Sequence, residues 1–570
     1  MGCTNAYYPL SVLGLAAVNA PLSQQNLQKA KFLLPLFVMI STYINNKKRI
    51  ALSVAAIILL GCGWWQISGL TLLLAFVPIF MLSSSFDGSV KGCAKFALWA
   101  SLILVAWHLS TVWWVWNAAA IGTIAATIIG WWWAIIPLML YHIVSKRMPK
   151  GIAYILFVTA WIGCEYIYLN APALSFPWLT LGNGFAFDTW TVQWYEYTGT
   201  LGGSLWVLVS NILIYEALTS RSKGKWALAL CKVVCPIIVS LILFSQNAPT
   251  KEQYTERKSV DVAVIQPNVD CYTKFDGNTL DQQLSLLNQL KSSPLQSDFI
   301  LMPETALAES VNERFIAATR IVQLIISYLK LEKSEAMVIT GSESIVPYGK
   351  VRKSDTNRRT RDGIYYDIFN SSIALTANNP IDIPVHHKGK LVVGVETLPA
   401  WFREGGLFGV DLGGTAGQLG IGDKTVPFTH NNIKIAPAIC YEALYGHYMG
   451  GFVREGAQIF GVVSNDGWWK DTPGYRYLFA FCRLRAIEHR RDVVRSANTG
   501  ISGFINSRGD VIDSLGWDKK GILSATIKAN NEQTFYTRYG DYIGRLSLYI
   551  ALLCLLYTVA ILSKRRFYLD

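Results

Sequence analysis

The stretch Ile433-Lys434-Ile435-Ala436-Pro437-Ala438-Ile439-Cys440-Tyr441-Glu442 is an apolar run of strand length that delivers a cysteine to a turn. Similar short runs recur on both sides of it, at Val260–Gln266, Asp298–Met302, Ala336–Thr340, Ser372–Leu375, Gln458–Val463 and Val493–Ser496. Tyr475 to Arg490 instead carries its apolar residues on a helical stripe (Leu478, Phe481, Cys482, the stem of Arg485, Ile487). Strands interleaved with helices predict an α/β layered domain over residues 256–530, large enough to fold around its own core.

Outward from this domain the chain turns apolar. Hydrophobic residues make up 52% and charged residues 16%, which excludes a chain that is soluble throughout. Apolar segments at about 50–65, 69–84, 93–116, 119–144, 152–169, 201–219, 227–245 and 543–562 predict a polytopic α-helical membrane bundle of about eight spans. The first two are short against the ~20 residues a spanning helix needs. The α/β domain is inserted before the last span, so residues 47–246 form the main membrane domain and 540–566 the C-terminal helix. Trp64-Trp65, Trp113-Trp114 and Trp131 to Trp133 sit near segment ends, where aromatic rings favour the membrane–water interface. Residues 1–46 read as an extension without a clear role; Cys3 has no apolar stretch before it and is not a lipoprotein signal cysteine.

The net charge of +13 lies largely in short clusters between apolar segments, a membrane pattern that argues against nucleic acid as a partner. The clusters are Lys47-Lys48-Arg49, Lys91/Lys95, Lys146-Arg147/Lys150, Arg221/Lys223/Lys225 and Lys564-Arg565-Arg566, whereas the loop 170–200 has no Lys or Arg. Cytoplasmic connections retain Lys and Arg, so both termini are expected inside and residues 246–540 outside, in the periplasm of a bacterium. The ten cysteines form no C-x-x-C pair and no cluster with histidine, so neither a zinc site nor a disulfide framework is indicated. Glu165 and Glu216 lie near span ends, where bundle hydrogen bonds explain them more cheaply than a proton relay.

Three expected strand ends carry candidate chemistry: Met302-Pro303-Glu304-Thr305, His386-His387-Lys388-Gly389-Lys390 and Ile439-Cys440-Tyr441-Glu442. Singly, each has a bland reading as a turn, a solvated lysine or a small core cysteine. Together they supply a base, a cation and a nucleophile, the set that thiol acyl chemistry requires. Glu304 can accept the Cys440 proton, and Lys388 with the Tyr441 N–H can stabilise an oxyanion.

The order Glu304, Lys388, Cys440, spaced 84 and 52 residues apart, resembles the nitrilase (CN hydrolase) superfamily. The flanking spans make the chain similar to one branch of it, the apolipoprotein N-acyltransferases. The likeness includes Phe176-Pro177-Trp178-Leu179, Gln193, Glu196-Tyr197-Thr198-Gly199, Gly202, Ser204, Asn211 and Gln266-Pro267-Asn268. It continues through Ser464-Asn465-Asp466-Gly467-Trp468, Arg483-Leu484-Arg485-Ala486-Ile487-Glu488 and Arg495-Ser496-Ala497-Asn498-Thr499-Gly500-Ile501-Ser502. The resemblance implies a nitrilase-like αββα sandwich, no metal or organic cofactor, and catalysis by Glu304, Lys388 and Cys440. It implies a supporting role for Glu396, Tyr441 and Glu442, though Glu442 could simply orient Lys388. The implied reaction is ping-pong: Cys440 takes an acyl chain from a phospholipid donor as a thioester. It then passes the chain to the α-amino group of a diacylglyceryl-modified apolipoprotein at the bacterial inner membrane. The sequence departs from the family at Lys390 (usually His), at Val393-Gly394-Val395 (usually Pro-Phe-Gly), and at Phe275, where an aromatic, typically Trp, is expected to touch substrate.

Two other readings use the same residues. A membrane-tethered amidase would use water where the acyltransferase uses an amine, and a transporter would use the bundle itself. Eight spans are more than an anchor requires, and the loops are compact with no central charges. The orientation has a direct test. A cysteine engineered at residue 223 should resist a membrane-impermeant thiol reagent on intact spheroplasts, while one within 250–540 should label. The reverse pattern would invert the topology.

Overall fold

The computed structural model describes residues 46–171, 174–247, 257–272, 279–378, 382–397 and 418–567. Residues 46–52, which are helical, belong to one unit of the chain, and the described residues from Ser53 onward form the other. Among the described residues six helices are long and apolar enough to cross a membrane. They are Val90–Asn117, Ala120–Ser145, Lys150–Asn170, Tyr195–Ser220, Lys223–Gln246 and Tyr542–Lys564. The two short apolar segments are helical over 46–62 and Gly69–Ser84. The latter breaks at Phe76, because Pro78 follows in the next helical turn. Asn211 repairs the break: its Oδ1 accepts the Phe76 and Val77 N–H groups at 2.7 and 3.2 Å, and its Nδ2 donates to the Leu72 carbonyl at 2.7 Å. Unsatisfied backbone groups are costly in a bilayer, which explains an asparagine deep in the bundle.

Glu165 accepts from the Trp161 indole and the Leu181 N–H, and Glu216 from Tyr154 and Lys225, so both intramembrane carboxylates serve the bundle's own hydrogen bonding. The helix Tyr195–Ser220 breaks at Gly199 (φ 61°), where a Cβ would come within 2.3 Å of the Tyr536 ring.

The inserted domain contains β1 (Ser259–Gln266), β2 (Phe299–Leu301), β3 (Leu307–Asn312), β4 (Met337–Gly349), β5 (Arg358–Arg359), β6 (Tyr365–Leu375) and β7 (Val385–His387). These are followed by β8 (Phe428–His430), β9 (Ile433–Ile439), β10 (Ile459–Ser464), β11 (Val493–Ala497), β12 (Ser502–Ile505), β13 (Val511–Leu515) and β14 (Gly521–Lys528). One sheet runs β14-β1-β2-β4-β6-β5 with β3 on β4 and β7 on β6; the other runs β13-β12-β11-β10-β9-β8. The central pairs β1/β2, β2/β4, β9/β10 and β10/β11 are parallel, so their carboxyl ends point the same way within each sheet.

Helices Thr279–Lys291 and Arg320–Leu331 pack on the outer face of the first sheet through Leu286, Leu290, Ile321, Val322 and Ile325. Gly446–Arg454 and Pro473–His489 cover the second through Met449, Phe452, Cys482 and Ala486. The inner faces meet where β1 and β2 contact β11, with the Ser496 hydroxyl donating to the Ile265 carbonyl across the gap. This is an αββα sandwich. Strands covered on both faces read as unbroken apolar runs, which is why Val260–Gln266 and Ile433–Ile439 are visible in sequence. β4 and β6 extend well past the expected Ala336–Thr340 and Ser372–Leu375. The added residues mix polar with apolar, and the polar ones find partners within the fold: the Ser344 hydroxyl meets that of Ser371 at 2.7 Å and donates to Glu313 at 2.5 Å.

The Arg483–Glu488 stretch ties this domain to the membrane helices. Arg483 donates to the Ala186 carbonyl and the Thr189 hydroxyl, and Glu488 accepts the Thr200 N–H. Just beyond it, Arg490 donates to Gln193 Oε1 at 2.7 Å and Glu196 Oε2 at 2.8 Å. Arg490 and Glu196 are largely buried, and removing one partner of such a pair costs about 3–5 kcal/mol because the other charge is stranded. Arg490→Ala should therefore lower the thermal unfolding midpoint of the purified protein markedly, whereas Arg476→Ala, at an exposed pair with Asp471, should leave it nearly unchanged.

Candidate active site

Cys440 follows the last residue of β9 and opens a short 3-10 turn, Cys440–Leu444. Its φ of 47° is left-handed, a conformation that an L-residue holds only when its surroundings impose it. Thr305, directly after Glu304 at the end of β2, has φ 48°. Gly341 of β4 makes room for that turn, since a Cβ there would lie 2.5 Å from the Glu304 Cα. Lys388 follows β7, and its N–H donates to the Asn370 carbonyl of β6 at 2.8 Å.

The three expected strand ends thus converge. Lys388 is buried, and its Nζ donates to Glu304 Oε1 at 2.9 Å and to Glu396 Oε1 at 3.0 Å. Asn370 Nδ2 bonds the same two oxygens at 2.7 and 2.8 Å. The second oxygen of Glu304 accepts the Asn465 N–H at 2.9 Å, and that of Glu396 accepts the Val392 N–H at 2.7 Å. Burial works to push the Lys388 ammonium down, but the Glu304 and Glu396 charges outweigh it and hold its pKa above the ordinary value. Burial pushes the Cys440 thiol up, the nearby Glu304 carboxylate adds to this, and Lys388 opposes it. A thiol beside a carboxylate and a fixed ammonium can undergo proton-coupled attack on a carbonyl, with the cation placed to meet the developing charge.

Glu442 does not orient Lys388 by touching its ammonium. It accepts the Gly389 N–H and the Tyr448 hydroxyl, each at 2.7 Å, on one oxygen and the Ile439 N–H at 2.7 Å on the other, with His386 bridging both at 3.2 Å. It therefore staples the backbone beside Lys388 to the backbone before Cys440. Burial would raise the Glu442 pKa; His386 and the two backbone donors overcome this and lower it. Tyr441 sends its hydroxyl to the Ser175 carbonyl at 3.1 Å and packs its ring 6.2 Å from that of Trp178, so the residue after the cysteine rests on the connection that follows the membrane helix Lys150–Asn170. Turn geometry at Val393-Gly394-Val395 rests on Gly394 (φ 87°), with the Glu396 N–H returning to the Val392 carbonyl. Phe275 lies outside the described residues.

Sequence reasoning missed Asn370 and the part played by Asp466. Arg495 forms a buried two-pronged pair with Asp466 at 2.9 and 2.8 Å, which fixes the turn that presents the Asn465 N–H to Glu304. A signal existed for Asn370, an amide interrupting the apolar centre of β6. Gln266 of the Gln-Pro-Asn motif accepts the Ser502 N–H and donates to the Gly516 and Lys519 carbonyls, a structural tie within the sandwich. Among the described residues no cluster of His, Cys, Asp and Glu could hold a metal ion.

Residues 50–213 match the family model described as the apolipoprotein N-acyltransferase N-terminal domain, and residues 261–536 match that of the carbon-nitrogen hydrolases. An apolipoprotein N-acyltransferase of Chlorobaculum tepidum is 28% identical over 80% of this chain and 85% of its own. One of Thermotoga maritima is 25% identical over 73% of each, and one of Rickettsia prowazekii 24% identical over 84% of this chain and 95% of its own. Among solved structures, Saccharomyces cerevisiae Nit3, of the nitrilase superfamily, covers 48% of this chain and 90% of its own at 16% identity, with a TM-score of 0.34 that is too low to carry weight. A multi-pass bundle and a carbon-nitrogen hydrolase sandwich, matched in that order along one chain and in relatives of nearly the same extent, place the chain in the apolipoprotein N-acyltransferase family.

Proposed function

We propose that the protein transfers an acyl chain from a phospholipid to the α-amino group of the diacylglyceryl-modified N-terminal cysteine of an apolipoprotein, through a thioester on Cys440. The observation that carries this reading is the seating of the nucleophile's turn on the membrane domain: Tyr441 and Tyr445 both donate to Ser175 of the outer loop. A soluble-substrate amidase has no use for that attachment, and a lipid donor does. The names of the relatives point the same way.

In the first half-reaction Glu304 takes the thiol proton as the Cys440 sulfur bonds to the donor's ester carbonyl carbon. The oxyanion meets the Lys388 ammonium and the Tyr441 N–H. Collapse breaks the ester C–O bond, and Glu304 returns the proton to the departing glycerol oxygen, releasing a lysophospholipid. In the second, the acceptor amine loses a proton to Glu304 as its nitrogen attacks the thioester. The C–S bond breaks and the thiol is restored. Glu396 and Asn370 keep Lys388 aimed, and Glu442 holds the two loops. The basic clusters support an inner-membrane location with this site on the periplasmic side.

Acyl-adduct formation from phospholipid, read by mass spectrometry and followed by transfer to a synthetic diacylglyceryl-cysteine peptide, separates the steps. Cys440→Ala should show neither, and Glu304→Gln should form no adduct. Lys388→Ala should slow adduct formation ~100–1,000-fold, the loss of one oxyanion donor. Cys482→Ala, in a helix core, should retain both steps. An adduct in Cys440→Ala would sink the assignment.

Asn370 supplies a separate test. Asn370→Ala removes two hydrogen bonds to carboxylates, each worth about 1.5–3 kcal/mol, and should reduce the rate while the protein stays folded. Asn370→Asp, adding a third carboxylate beside Lys388, should be far less stable than Asn370→Ala in thermal unfolding; equal midpoints would show that charge repulsion there is unimportant.

A further inference from the structure

Lys390, two residues past Lys388, places a second ammonium next to the site. It lines a small cavity of about 80 Å³ together with Asn170, Tyr445, His447, Tyr448 and Asp541. Its Nζ lies 4.9 Å from the Tyr445 ring centre and 5.9 Å from that of Tyr448, and among the described residues it forms no ion pair. The acidic groups that act on it are Glu442 and Asp541. Both oxygens of Glu442 are already taken by Gly389, Tyr448, Ile439 and His386. Asp541 accepts the Tyr536 hydroxyl at 2.6 Å. Beyond the lining, Arg454 and Arg545 join Lys390 in acting on His447, and among the described residues the two guanidiniums donate to the Thr537, His447 and Tyr539 carbonyls. Lys390 and Asp541 are the charged residues of the cavity lining, and among the described residues no carboxylate reaches the Lys390 ammonium, on which burial presses.

Its position says what could answer that charge. Asn170 ends one membrane helix and Asp541 directly precedes another, so the cavity opens at the level of one leaflet's headgroups. Through Tyr445, which bonds Ser175 Oγ at 2.9 Å, it adjoins the Tyr441–Ser175 contact beside the nucleophile. The geometry points to a phosphate subsite: Lys390, flanked by His447, binds the headgroup phosphate of the phospholipid whose ester is attacked at Cys440. This rests on the acyl-transfer reading above and adds to it the residue that selects a phosphate-bearing donor. Phosphate oxygens supply the acceptors that Lys390 lacks, and the aromatic floor of Tyr445 and Tyr448 keeps the ammonium in place meanwhile.

The experiment uses the full-length protein in lipid nanodiscs with two donors, phosphatidylglycerol and the phosphate-free ester p-nitrophenyl palmitate. The ratio of their kcat/KM values for adduct formation at Cys440 should fall roughly tenfold to a hundredfold in Lys390→Met, the worth of one hydrogen bond to a charged group, and recover in Lys390→Arg. Equal losses on both donors would reduce Lys390 to a structural role and overturn the proposal. Binding of an unreactive diether phosphatidylglycerol, read by native mass spectrometry, gives an answer without chemistry. Weaker binding in Lys390→Met sustains the subsite even if wild type forms no adduct, an outcome that would sink only the acyl-transfer reading. Undiminished binding overturns the subsite. Competition by millimolar inorganic phosphate, with diether lipid binding unaffected by Lys390→Met, would assign the pocket to a free anion and overturn the lipid reading.

Discussion

A single buried ammonium sets the terms for the catalytic domain. Lys388 can stay charged out of water only because Glu304 and Glu396 bracket it, and those two carboxylates can stand so close together only because Lys388 and Asn370 lie between them. Each of the four comes from a different part of the chain, so the cluster forms only when β2, β6, β7 and the turn after β7 have all reached register. The partners beyond it follow the same logic. Glu304 has its second oxygen on the Asn465 N–H, which is held by the Asp466–Arg495 pair on the opposite sheet. Removing any member leaves a charge in a place where water cannot answer it.

Attachment to the bilayer is built with comparable care. Arg483, Glu488 and Arg490 reach backbone and side-chain groups between Ala186 and Thr200, and Tyr441 reaches Ser175. The αββα sandwich is therefore fastened to the bundle beside Cys440. Such an attachment holds Cys440 at a fixed depth relative to the bundle.

Much of this was legible from sequence where the physics is local. Strands covered on both faces appear as apolar runs, and Cys440, Glu304 and Lys388 stand out because each directly follows one or closes a basic loop. The membrane segments announce themselves by length, and only the two shortest, 46–62 and Gly69–Ser84, fall below what a straight span requires. What stayed hidden depends on pairing at long range. The polar halves of β4 and β6 look like loop until Ser344 finds Ser371 and Glu313. Asn370 looks like a misplaced amide until two carboxylates separated from it by 66 and 26 residues arrive. Glu442 reads as a partner for Lys388, yet its oxygens go to the Gly389 and Ile439 N–H groups, the Tyr448 hydroxyl and His386, a set that no local pattern reveals.

The first and last strands of the inserted domain are neighbours: β1 pairs with β14 antiparallel, from Ser259 opposite Lys528 to Gln266 opposite Gly521. The chain therefore enters and leaves the sandwich at nearly the same point. Seen from the bundle, nearly half the polypeptide is a loop whose two ends are already together, and its closure entropy is paid inside the domain. A membrane protein can accept such an insert between two helices without moving either. That makes joining a soluble catalyst to a bilayer scaffold a matter of splicing at one connection.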